Sequence, residues 1–153
     1  MITQAKAHEA KLAIDHGADE IDMVLNIGRM KEGTYEYVLN DIKAVKKAIG
    51  ENILKVIIET ALLTEEEARK ATEIVLESGA DFVKTSTGFS FRGATQEDII
   101  MMKEVVGDKI GIKAAGGVKT PADLKKMIEL GATRIGTSSG IKLISGEEAG
   151  KGY

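Results

Sequence analysis

No cysteine and no tryptophan occur in the 153 residues of this chain, and it holds one proline, two histidines and three residues each of phenylalanine and tyrosine. Without cysteine there is no disulfide, no thiolate nucleophile and no thiolate metal site. The two histidines, His8 and His16, are too few and too far apart for a histidine-rich metal centre, so neither a metal nor any other cofactor is expected. A formal net charge of −3 provides no general attraction to nucleic acid or to anionic membranes, and six small aromatics are a poor base-stacking platform. No apolar run is long enough to span a bilayer, and the opening MITQAKAHEAKLA lacks the continuous apolar core of a signal peptide. A cytoplasmic protein with neither nucleic acid nor membrane as partner is expected. Its chemistry must come from lysines, carboxylates and hydroxyls.

What is present is an ordinary globular composition, 43% hydrophobic and 29% charged, sufficient for a single domain over residues 1–153. Its punctuation is regular. A helix is expected over residues 3–16 with Thr3 as its N-cap and Gly17 as a left-handed stop. In residues 18–26, Ile21, Met23 and Leu25 alternate with Asp22 and Val24 in the period of a strand. After a loop from Gly28 to Gly33, Val38, Ile42, Val45 and Ile49 recur on one helical face that ends at Gly50. The strand LKVIIET follows. Thr64 and Glu67 have capping-box spacing at the head of a helix ending at Gly79, and the strand DFVKTS comes next. A glycine-rich loop then leads to Thr95, which can cap a helix through Val106. Strand KIGIKAAGG, a helix opened by Thr120-Pro121 and closed by Gly131, and strand TRIGTSSG complete the series. Residues 145–153 read as a polar, flexible tail.

Three helix ends repeat one pattern, GADEIDM at 17, GADFVKT at 79 and GATRIGT at 131. Strict alternation of strand and helix implies parallel strands with right-handed crossovers. The fold class is therefore α/β, with about five parallel strands and with its reactive loops at the C-terminal strand ends, helices covering one face of the sheet and other strands or a barrel interior the other.

Lys84, at the end of an apolar strand, is the residue most in need of explanation, since lysine is almost never buried without a partner or a purpose. Its ammonium either escapes to solvent at the strand end or is held in a dry pocket where the neutral amine attacks carbonyl carbon. Lys113 in IKAAGG, Asp22 in EIDMV and Glu59 in VIIET also interrupt apolar strands near their C-terminal ends. In a parallel barrel those ends converge on one mouth, which favours chemistry over a surface role, the remaining alternative being a buried ion-pair network. A Schiff-base lysine must shed its proton, and a nearby cation such as Lys113 promotes that; Asp22 is placed to shuttle protons. Lys55 is expected to be a structural ion-pair partner. Gly116-Gly117 and the run 136–140, with Ser138 and Ser139, offer amides and hydroxyls suited to a phosphate.

Together, EIDMVLNIG, KVIIET, DFVKTSTGF, GIKAAGGV and RIGTSSG resemble the deoxyribose-phosphate aldolase family of class I aldolases, over about residues 5 to 144. The resemblance implies an eight-stranded TIM barrel, Lys84 as Schiff-base lysine, Lys113 as second lysine and Asp22 as relay carboxylate. It also implies phosphate or substrate contacts at Gly116, Gly117, Ser138, Ser139, Thr85 and Gly88. Reversible cleavage of 2-deoxyribose 5-phosphate to acetaldehyde and glyceraldehyde 3-phosphate would follow, without a metal. Phe89 stands where some relatives place a phosphate-binding lysine. Members of that family begin with about three further strand-helix units, which this sequence does not include. An open barrel, with Val24, Ile57 and Phe82 facing water and a homo-oligomer covering the gap, is the expectation. Alternatives to the aldolase reading are a non-catalytic phosphate-binding or structural fragment and another Schiff-base lyase.

Overall fold

The computed structural model describes residues 1–147, so the part of the expected tail beyond that point lies outside the described residues. Helix α1 (Thr3–Asp15) leads into β1 (Glu20–Val24), and the short α2 (Ile27–Lys31) and long α3 (Tyr35–Ile49) precede β2 (Ile53–Ile57). A 3-10 turn at Thr60–Leu62, α4 (Glu65–Glu77), β3 (Phe82–Lys84) and α5 (Gln96–Val106) follow. The series ends with β4 (Gly111–Ala115), α6 (Pro121–Glu129), β5 (Arg134–Gly136) and α7 (Gly140–Ile144). All four strand pairings are parallel, and the strand order equals the chain order, β1-β2-β3-β4-β5. This is the parallel α/β arrangement that strict alternation predicts, with β1 and β5 as the edges of a five-stranded sheet.

Period 2 divides each strand between two faces. Ile21, Met23, Leu54, Val56, Val83, Ile112 and Ala114 point to the helices, and of these Leu54, Val56, Val83 and Ala114 are fully shielded from solvent. The helices meet them with the expected stripes: Val38, Ile42, Val45 and Ile49 of α3 and Ala71, Ile74 and Val75 of α4 are all buried. The opposite, concave face carries Glu20, Asp22, Lys55, Lys84, Lys113 and Arg134. Of the apolar residues expected to be open on that face, Val24 is 38% exposed but Ile57 is buried at 5%.

The starts of α4, α5 and α6 are set by hydroxyl caps. Thr64 with Glu67, Thr95 with Asp98 and Thr120 with Asp123 each form a complete capping box, and Pro121 opens α6. Two local expectations are corrected. Thr3 does not cap α1; its hydroxyl donates to Asp41 at 2.8 Å, and Ile2 is the N-cap. The expected Gly28 to Gly33 loop contains most of α2, because Asn26 accepts from the Arg29 amide at 3.1 Å and so caps a helical turn.

Leu54 sits at the centre of the layer between sheet and helices with no solvent exposure. Leu54→Ala is expected to lower the unfolding free energy by about 2–5 kcal/mol, read from urea denaturation with an unchanged slope.

Candidate active site

Register brings the charged residues together. Asp22 lies beside Lys55 in the β1-β2 pair, and Lys84 lies beside Lys113 in the β3-β4 pair. Curvature of the sheet then closes the distance between the pairs. The Asp22 carboxylate takes Lys55 Nζ at 2.7 Å on Oδ1 and Lys84 Nζ at 2.5 Å on Oδ2, and Lys113 Nζ stands 3.9 Å from that same Oδ2. One aspartate thus faces three ammonium groups drawn from three other strands. Lys84 and Lys55 are buried, at 8% and 7% exposure, so neither is a lysine whose ammonium simply escapes to solvent.

Below this layer a second set of ions braces the concave face. Glu20 accepts from Lys55 at 2.8 Å and from Arg134 at 2.5 Å, which links the edge strands β1 and β5 across the open side. The guanidinium of Arg134 lies 4.8 Å from the centroid of Phe82. Room for that ring comes from Gly111, where a Cβ would stand 2.3 Å from a ring carbon. Lys55 is the structural ion-pair partner the sequence suggests, shared between Glu20 and Asp22.

These contacts move the titrations in opposite directions. Burial pushes the Asp22 carboxyl up, but the hydrogen bonds donated by Lys55 and Lys84 outweigh it and hold the group below the usual aspartate range. Hydrogen bonds from Arg134 and Lys55 hold Glu20 down at about 2. For Lys55 burial pulls downward, and the bonds to Asp22 and Glu20 win and raise it. Lys113 goes the other way: burial and the neighbouring Lys84 charge lower it, and Asp22 at 3.9 Å offsets only part of that. Lys113 is therefore a cation whose proton is loosely held.

The loop after β3 is held by a residue whose role in it no local pattern announces. Glu59, just past β2, adopts a left-handed conformation with φ 54° and ψ 66°, the one non-glycine with positive φ among the described residues. It makes no ion pair with the lysines there; its Oε2 accepts from the Thr87 amide at 3.1 Å and from the Thr87 hydroxyl. Thr85, counted with the substrate contacts, is fully buried, and its hydroxyl accepts the Ala115 amide at 3.0 Å, tying β3 to β4. Gly88 follows at φ 103°, and Phe89 is 97% exposed.

The two loops suited to an anion are adjacent. The Gly116 amide donates to the Gly136 carbonyl at 2.9 Å, so it joins the loops and is already occupied. Gly117 is exposed at φ 75°, and a Cβ there would stand 2.3 Å from the Ala94 carbonyl oxygen, so the left-handed backbone and the close approach both call for glycine. Ser138 and Ser139 precede α7, and the Ser139 amide donates to the Thr137 hydroxyl at 3.1 Å.

Depressed carboxyl values in the folded chain mean stability that is present above about pH 4, where these groups are ionised in the unfolded chain, and lost as pH falls through the folded values. Unfolding free energy should therefore fall steadily between about pH 4.5 and 2. Substituting Glu20→Gln and Asp22→Asn together should flatten that slope in acid denaturation followed by circular dichroism; an unchanged slope would contradict it.

Comparison with known proteins places the chain in a family. The chain matches the family model described as DeoC/LacD family aldolase over residues 1–146. It is 68% identical over 152 residues to the deoxyribose-phosphate aldolase of Mycoplasmopsis pulmonis and 56% identical over 151 residues to that of Deinococcus radiodurans. Each alignment covers 99% of this chain and 69% of the relative. Among solved structures, the aldolase QR15 superposes with a TM-score of 0.87 at 44% identity, covering 92% of this chain and 64% of its own. The tetrameric deoxyribose phosphate aldolase from Aeropyrum pernix gives a TM-score of 0.79 at 29% identity, covering 95% of this chain and 62% of its own. The chain thus spans roughly two thirds of the length of the proteins it matches, and within that span sequence and fold agree: the chain belongs to the DeoC/LacD family of aldolases.

Proposed function

We propose that the chain carries the catalytic machinery of a Schiff-base aldolase acting on 2-deoxyribose 5-phosphate, with Lys84 as nucleophile. The observation that carries this reading is a buried lysine at the mouth of a parallel sheet, 2.5 Å from a carboxylate that a second lysine also faces. Asp22 relays the Lys84 proton from its Oδ2 to the neutral form of Lys113, which faces the same oxygen, and the neutral Lys84 amine adds to the C1 aldehyde of the open-chain sugar. Loss of water gives the iminium. The proton held on Lys113 leaves with that water through Asp22, and the same relay then takes the C3 hydroxyl proton as the C2–C3 bond breaks, its electrons passing to the iminium as an enamine while glyceraldehyde 3-phosphate leaves, and keeps that proton for C2. Protonation at C2 and hydrolysis release acetaldehyde and free Lys84. Lys113 serves as the exchanging cation, since its lowered pKa brings it nearer the pH at which proton transfer is efficient. Gly117, Ser138 and Ser139 form the proposed phosphate seat, with Gly116 joining the two loops that build it.

The working form we propose is an assembly of copies. β1 is an edge strand beside a groove of about 510 Å³ whose walls include Ala10, Ala13, Ile21 and Val24, and an uncovered strand edge favours association. The tetrameric relative from Aeropyrum pernix supports this reading.

Borohydride reduction in the presence of acetaldehyde, followed by peptide mapping, tests the chemistry. An ethyl group fixed on the peptide carrying Lys84 is the expected result, whereas labelling spread over surface lysines would overturn the assignment. Running the same reaction across a dilution series should show the Lys84 label declining as the assembly seen by sedimentation dissociates.

A further inference from the structure

Glu59 is 4% exposed, and its Oε1 has no hydrogen-bond partner among the described residues. Its backbone is as unusual as its burial, since a side chain at φ 54° is disfavoured everywhere except where the surroundings impose it. Those surroundings are the chain segment that carries Lys84. The amide before Glu59, that of Ile58, donates to the Lys84 carbonyl at 3.0 Å, and the amide after it, that of Thr60, donates to the Thr85 carbonyl at 2.9 Å. Between these two bonds the Glu59 side chain reaches forward to the amide and hydroxyl of Thr87. The Thr87 hydroxyl in turn accepts the Phe89 amide at 3.1 Å. Glu59 and its two neighbours therefore grip residues 84, 85 and 87 in succession, and Thr87 passes the constraint to residue 89.

The geometry points to Glu59 as a positioning residue for the reaction: through Thr87 it fixes the main chain that aims Lys84 at Asp22 and shapes the loop over the mouth. This inference rests on the Schiff-base role proposed for Lys84. It gives the left-handed backbone a purpose, since that conformation turns the carboxylate away from the lysines and towards the loop. It also gives the Thr87 hydroxyl a task separate from the substrate, because both its donor and one acceptor position are used within the loop.

The test uses Glu59→Gly, Glu59→Gln and Thr87→Val in the full chain. It reads the rate of borohydride trapping at saturating acetaldehyde, the concentration for half-saturation, and the melting temperature. Glycine accepts the left-handed backbone without strain, so Glu59→Gly is expected to keep the melting temperature while the saturating rate falls about tenfold or more, with half-saturation little changed. Gln retains a carbonyl oxygen for Thr87 and is expected to stay within about threefold of the parent. Thr87→Val should reproduce the Glu59→Gly loss, and the double variant should add little to it. If Glu59→Gly fails to fold, Thr87→Val carries the same test without touching the strained residue. A parental rate in Thr87→Val or in a folded Glu59→Gly, or losses that follow the melting temperature equally in the Gly and Gln variants, would overturn the positioning role. A parent chain that traps no aldehyde at Lys84 would instead remove the Schiff-base reading on which this one stands.

Discussion

The carboxylate of Asp22 is the contact on which the site depends. Three lysines cannot share a partly dry concave face without a counter-charge, because each buried ammonium costs several kcal/mol unless it is paired and hydrogen-bonded. Asp22 pairs directly with Lys55 and Lys84 and stands within ion-pair distance of Lys113. The pairing is uneven, and the unevenness is the useful feature. Lys55 has two carboxylate partners and holds its proton more firmly, whereas Lys113 has one distant partner and holds its proton less firmly. One carboxylate thereby treats like residues unequally, keeping Lys55 raised and leaving Lys113 lowered.

The scaffold makes this arrangement possible by using its two sheet faces differently. Apolar side chains such as Leu54, Val56 and Val83 pack against the helices and hold the strands in register. That register places Asp22 beside Lys55 and Lys84 beside Lys113 without any loop residue being needed. Loops then add what the strands cannot. The Gly116 to Gly136 bond joins the two anion-suited loops, and Glu59 grips the segment after Lys84. Core packing thus sets where the charges are, and a few polar contacts set where they point.

Much of this was legible in the sequence, for identifiable reasons. The α3 stripe of Val38, Ile42, Val45 and Ile49 is periodic, and the Thr64, Thr95 and Thr120 caps are local, so both are visible within a few residues. Lys84 and Asp22 stood out because each breaks an apolar strand. Glu20 and Arg134 did not, since they are 114 positions apart and meet only through the curvature of the sheet. Glu59 reads from the sequence as a strand-end carboxylate, yet its left-handed turn towards Thr87 has no signature in VIIET, whose valine and isoleucines favour extended backbone. Gly116 and Gly117 look alike in the sequence but differ in the structure, because one amide is spent on Gly136 and the other residue is a glycine by close approach to Ala94.

The most direct measurement is a pH titration of the lysine Nζ resonances by NMR in ¹⁵N-lysine-labelled chain, with Lys113 identified by its loss in Lys113→Leu. Lys113 should titrate below the ordinary lysine value of about 10.4, and Asp22→Asn should lower it further by removing the attraction that holds its proton. The same substitution should bring down Lys55, which Asp22 holds up. Lysines that all titrate together near that ordinary value, unmoved by Asp22→Asn, would contradict a site organised around this one carboxylate.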